Sequence, residues 1–152
     1  MNATLERVEA LMSNFGAPWG FAGGWALDLF IGRESRVHGD IDIAILRSDQ
    51  QLLRSRLSGR VEKVVEGQLA VWSPTEVLMP PIHEIHVTWP DGCHVEYLLN
   101  EQDPATSDWV FRRDARIRRP LASVFASDGA IPYLAPEIVL PLALAELGLI
   151  DD

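Results

Sequence analysis

A chain of 152 residues, 47% of them hydrophobic, is long enough for one domain that buries about two-thirds of the surface its unfolded form exposes. Its formal charge of −9 excludes a protein that grips nucleic acid through a broad basic footprint. No apolar run reaches the roughly 18 residues of a membrane span, no charged-then-apolar leader stands at Met1–Arg7, and the lone Cys93 excludes an intrachain disulfide, so a cytoplasmic protein is expected.

Leu5, Val8, Leu11, Met12 and Phe15 recur at helical spacing and predict an amphipathic helix over 3–14 that stops before Gly16. Pro18 to Ala22 is a short strand candidate leading into Gly23-Gly24. Trp25 to Ile31 is apolar on nearly every side except Asp28, which predicts a buried helix closed by Gly32. A buried Asp28 would satisfy loop N–H groups rather than act chemically. After the polar loop from Arg33 to Gly39, the run Asp40–Leu46 alternates strictly: Asp40, Asp42 and Ala44 on one face, Ile41, Ile43 and Ile45 on the other. A strand with one face in the core and one at a site is expected.

Residues 48–58 predict a helix with Ser48 as N-cap. Strand candidates follow at Val61–Val65, Leu69–Trp72, Ile82–Trp89 and His94–Leu99, the last two joined by the turn signal Pro90-Asp91-Gly92 and so read as a hairpin. A further β segment is expected around Ala115–Phe125, before the turn at Asp128-Gly129. Pro136 then opens a C-terminal helix with Leu140 and Leu144 on its apolar side. With no repeat, linker or low-complexity tract, residues 1–152 read as a single α/β (α+β) domain with a mixed sheet flanked by helices.

The chemistry concentrates at Gly23-Gly24 and Asp40-Ile41-Asp42. Glycines opening a helix let backbone N–H groups approach phosphate, and a helix N-terminus favours anions. Two carboxylates at i and i+2 on a strand share a face, roughly 7 Å apart given a ~3.3 Å rise per residue. Their hard oxygens suit Mg²⁺, or Mn²⁺, shared with the phosphates of a nucleoside triphosphate. On so acidic a chain a polyanion needs metal or arginine nearby, and every basic residue but Lys63 is Arg. That bias fits anion recognition and genomic base composition equally. A third acid is needed for the second metal or for deprotonating the attacking group. Glu96 is the candidate, because Val95, Tyr97 and Leu99 take the core positions of its strand.

Gly23-Gly24-Trp25-Ala26-Leu27-Asp28, followed by Gly32-Arg33-Glu34-Ser35-Arg36-Val37-His38-Gly39-Asp40-Ile41-Asp42, resembles the core of the polymerase-beta-type nucleotidyltransferases. Within that superfamily the chain is most similar to the small aminoglycoside and lincosamide nucleotidyltransferases. The likeness is specific over 19–46 and weaker through Glu96 and the Ile131–Leu140 segment. It implies a nucleotidyltransferase-type fold and Mg²⁺-dependent transfer of a nucleoside monophosphate from an NTP such as ATP to a small hydroxylated acceptor, an antibiotic among them. It implies Asp40 and Asp42 as metal ligands, Gly23 and Gly24 at the phosphates, and Arg33, Arg36 and His38 nearby. Glu96 joins the two aspartates by strand position. Two alternatives stand beside it: the same chemistry aimed at a protein side chain, as in antitoxin-like members, and a non-catalytic nucleotide-binding or interaction domain.

His83-Glu84-Ile85-His86 is one residue short of the zinc helix pattern, and on a strand its histidines face opposite ways, so no zinc site is expected there. The arginines at 112, 113, 116, 118 and 119, with Asp114 among them, read as a solvated strand edge or acceptor contacts. The tail from Pro141 lacks the lysine that longer relatives carry, and its leucines exceed what one short helix can bury. It is expected to pack on a second subunit or a partner protein, and the isolated chain to bind nucleotide weakly.

Overall fold

The computed structural model describes residues 3–34, 39–129 and 131–139. Its elements in chain order are α1 (Ala3–Met12), β1 (Trp19–Ala22), α2 (Gly23–Ile31), β2 (Asp42–Leu46), α3 (Gln50–Arg56), β3 (Arg60–Val65), β4 (Gln68–Val71), β5 (Glu84–Thr88), β6 (His94–Gln102), β7 (Trp109–Val110), β8 (Arg118–Arg119), β9 (Phe125–Asp128) and β10 (Ile131–Leu134). Among the described residues the strands form one mixed sheet in the order β4-β3-β5-β6-β2-β1-β10-β9, with β7 and β8 extending from the far end of β6. The pairings β2–β6 and β1–β10 are parallel, whereas β1–β2, β5–β6, β3–β5 and β9–β10 are antiparallel. This is the α+β architecture with a mixed sheet that the sequence predicts.

The alternating pattern determines which face of the sheet is covered. Ile43 and Ile45 of β2, Val95, Tyr97 and Leu99 of β6, and Ile85 and Val87 of β5 are all buried. They pack with Leu5, Val8 and Met12 of α1 in one hydrophobic cluster. The Tyr97 hydroxyl points at Met12 Sδ, 3.8 Å away. Burial pushes that phenol far above its ordinary range. At the start of α3, Gln50 bonds both ways to the backbone of Leu78 in the segment between β4 and β5, accepting from its N–H at 2.6 Å and donating to its carbonyl at 3.0 Å. A buried amide so satisfied adds order at no desolvation loss.

Several expectations meet a correction. The strand drawn from Asp40 begins at Asp42, because β1 pairs only as far as Ala22 opposite Asp42 before the chain turns into α2. Asp40 is left exposed ahead of the strand. Helix α2 is less enclosed than its composition suggests: Phe30 and Ile31, at its C-terminal end, are more than half exposed. Ser48 is not a cap. It lies in a 3-10 turn over Arg47–Asp49, and α3 begins after it with no side-chain cap. The single β segment expected over 115–125 is two strands split at Pro120, whose missing N–H cannot continue a ladder, and Trp109–Val110 is an unexpected strand opposite the first of them. Ile131–Leu134 also pairs as a central strand, Tyr133 opposite Phe21, although Pro132 within it argues against one. Residues 136–139 are helical, as Pro136 suggests. The rest of the expected C-terminal helix and the predicted packing of the tail lie outside the described residues.

Candidate active site

The register of β1 on β2 sets Ala22 opposite Asp42, so the chain leaves the sheet for α2 beside the first residue of β2. Gly23 takes a φ of +59°, in the left-handed region that L side chains rarely adopt. A Cβ built there would stand 2.6 Å from Asp42 Oδ2. The glycine is therefore required twice, once by its backbone and once because the aspartate occupies the space of its missing side chain. A carboxylate at a helix N-terminus meets the positive end of the helix dipole, and the same N–H groups suit a phosphate.

On the other side of β2, the parallel register places Glu96 of β6 directly opposite Asp42. Adjacent strands lie about 4.8 Å apart, so both half-buried carboxylates occupy one small area of the face opposite the α1 core. The row continues into β5, where His86 is opposite Glu96, and Thr88 is opposite His94. His86 Nε2 lies 3.7 Å and His94 Nε2 3.9 Å from Glu96 Oε1, and the two rings meet edge to face with centroids 5.4 Å apart.

The structure brings Gly23, Asp42 and Glu96 together, with Gly24 in the first turn of α2. Asp40 is exposed two residues before Asp42. Arg33 follows Gly32, the left-handed cap of α2, and its N–H bonds the carbonyl of Asp28. A nine-residue helix spans about 13 Å, so Arg33 stands at the far end of α2 from the glycine pair. Arg36 and His38 lie outside the described residues. Asp28 is buried within α2. In the arginine-rich stretch, Arg116 holds Asp114 through two side-chain bonds and lowers that carboxyl to about 2, while Arg118 bonds Asp103.

A cleft of about 620 Å³ opens at the same end of the sheet, lined in part by Thr4, Arg7, Trp25, Gly39, Ile41 and His94. Arg7 bonds Asp91 at 2.5 Å across its rim, and this partner holds the Asp91 carboxyl below its usual range. Cys93, also on the rim, is pushed upward chiefly by burial and stays a thiol at neutral pH. Asp42 and Glu96, paired across adjacent strands, each offer the hard carboxylate oxygens that a divalent ion shared with phosphate takes.

Sequence reasoning missed the pair His86 and His94. They were legible only through the hairpin: with Pro90-Asp91-Gly92 as the turn, His94 and Glu96 fall on one face of β6, and the cross-strand register then sets His86 beside them. His83, considered with His86, lies before β5 and instead contacts the carbonyl of Pro81.

A family model described as aminoglycoside-2''-adenylyltransferase matches residues 4–127. No curated protein sequence matches the chain. Among solved structures, the chain is similar to the lincomycin-bound crystal structure of the lincosamide antibiotic adenylyltransferase LnuA, with a TM-score of 0.64 and 16% identity over 93% of this chain and 84% of that one. It is also similar to ANT(2'')-Ia in complex with adenylyl-2''-tobramycin, with a TM-score of 0.60 and 12% identity over 98% of this chain and 79% of that one. At such identities the likeness is one of fold.

Proposed function

The chain belongs to the aminoglycoside-2''-adenylyltransferase family of nucleotidyltransferases, and from that premise we propose that it moves AMP from ATP to a hydroxyl group of an aminoglycoside- or lincosamide-type antibiotic. The observation that carries this reading is the convergence of Gly23, Asp42 and Glu96 at the junction of β1, α2 and β6. In the reaction the acceptor oxygen bonds to the α-phosphorus, the bond from that phosphorus to the bridging oxygen breaks, and pyrophosphate leaves. Glu96 takes the proton of the attacking hydroxyl. Gly23 and Gly24 present backbone N–H groups to the triphosphate, and Arg36 and His38, shortly before Asp40 in the sequence, add further contacts to it. Asp40 and Asp42, with Glu96, would hold Mg²⁺, which supplies charge neutralisation on the phosphates. Arg33 has the weaker claim to a phosphate, given the length of α2 between it and Gly23.

Two substrates need two volumes. The cleft beside Gly39, Ile41 and His94 supports the presence of one next to Asp40. No described helix is long and apolar enough to cross a membrane, and a cytoplasmic site is where ATP and an incoming antibiotic would meet. The test is to incubate the protein with each NTP, Mg²⁺ and a panel of aminoglycosides and lincosamides, and to follow the acceptors by mass spectrometry. A nucleotidylated antibiotic with stoichiometric pyrophosphate is the expected result. Nucleotide found on protein, with every antibiotic unchanged, would replace this reading with the protein-modifying one.

A further inference from the structure

The face that carries Asp42 also carries two histidines, donors that Mg²⁺ does not call for, beside Glu96. His86, His94 and Glu96 each offer one ligand atom, and the three atoms all lie within 4.8 Å of one another. His86 Nε2 is buried and makes no hydrogen bond among the described residues. Instead it has two carboxylate oxygens at spacings too long for a hydrogen bond, Glu84 Oε1 at 3.6 Å and Glu96 Oε1 at 3.7 Å. Two ligands on one tetrahedral ion with bonds of about 2.0–2.1 Å stand about 3.3–3.4 Å apart. The two spacings to Glu96, 3.7 Å from His86 and 3.9 Å from His94, need roughly half an ångström of closure, and the three ligand atoms together lie within 4.8 Å.

Orientation points the same way. Thr88 Oγ1 lies 3.2 Å from Nδ1 of His94, which steadies that ring with its other nitrogen toward Glu96. Metal-bound histidines use this arrangement, one ring nitrogen on the ion and the other on an outer partner. All three donors sit on paired strands, and the β5–β6 register fixes their relative positions. Imidazole with one carboxylate suits ions of intermediate hardness, whereas Mg²⁺ prefers oxygen alone. We propose that His86, His94 and Glu96 form a binding site for a divalent transition-metal ion, with Zn²⁺ as its type. The site stands on geometry and does not require nucleotidyl transfer. One consequence does rest on the proposed function: an ion held here draws Glu96 away from proton acceptance, so zinc acts as an inhibitor.

The test uses chelator-treated full-length protein without nucleotide. Zn²⁺ is titrated against a chromophoric competitor in the absence of Mg²⁺, because Glu96 is also a proposed Mg²⁺ ligand. One Zn²⁺ per chain is expected, with affinity lost in His86→Gln and in His94→Gln, kept in Cys93→Ser, and weakened about tenfold in Thr88→Val through its outer contact. Co²⁺ in place of Zn²⁺ should give visible bands in the wild type that vanish in the two histidine variants. His94 is exposed, so His94→Gln leaves the fold intact, and melting curves of the metal-free variants check this. Zn²⁺ affinity unchanged in both histidine variants, or no Zn²⁺ binding by the metal-free protein, overturns the site, whatever the outcome of the antibiotic assay.

Discussion

The two faces of the sheet are made by the same strands and behave as different materials. Ile43, Tyr97 and Ile85 point one way into a dry cluster under α1, and their neighbours Asp42, Glu96 and His86 point the other way into a row of ionisable groups. Period-two alternation means that stability and chemistry are written on one backbone without sharing side chains. A change on one face should therefore leave the other nearly untouched, and substitutions can measure how complete the separation is.

The largest expected effect belongs to the chemical face. Asp42→Asn keeps shape and removes a charge, and should lower turnover about a thousandfold, ~4 kcal/mol of transition-state stabilisation, while the melting temperature hardly moves. A melting temperature that falls along with activity would break the separation, and steady-state kinetics beside calorimetry decides it. On the dry face, Ile43→Ala opens a cavity in a fully buried position and should cost about 2–4 kcal/mol of stability, with turnover per folded molecule unchanged. Denaturant unfolding paired with the same assay reads both quantities. Gly23→Ala tests the seam between the faces, because its strain of about 1–3 kcal/mol falls on both. It should lose stability and nucleotide affinity together, as calorimetry with Mg·ATP would show.

The smallest effect lies at the rim. Asp91 is held below its ordinary range by Arg7, so its contribution is present above the ordinary carboxylate pKa and is lost as pH falls through the depressed one. Both partners are exposed, so Asp91→Asn should lower the melting temperature slightly at neutral pH, less in high salt, and not at all in acid. Thermal melts across pH and ionic strength would show it.

The alternation in Asp40–Leu46 and in His94–Leu99 made both the dry face and the pairing of Asp42 with Glu96 legible, because each strand is half buried. Elsewhere the local signal is weak or contrary. Pro132 disguised a central strand, since a missing N–H is tolerable when the neighbouring strand asks nothing of that position. Asp40 looked like a strand residue because alternation continues through it, yet a strand ends where its partner turns away, and Ala22 is that partner's end. Arg33 is close to the glycines in sequence, but the nine-residue helix that begins at Gly23 carries the chain to its far end before Arg33. His86 and His94 meet only through a register across the hairpin, which no spacing along the chain displays.

The contact between position 23 and Asp42 Oδ2 makes two residues joint tenants of one volume. A methyl group at 23 does not merely strain the helix start; it evicts an acid from its seat on β2. Variation at the two sites is therefore coupled, and suppressors of Gly23→Ala should arise less often at 23 itself than among changes that widen the gap between α2 and β2. A loss-of-function screen would find both positions as a single target, and a designer wishing to move the acid must first decide what fills the glycine's vacancy.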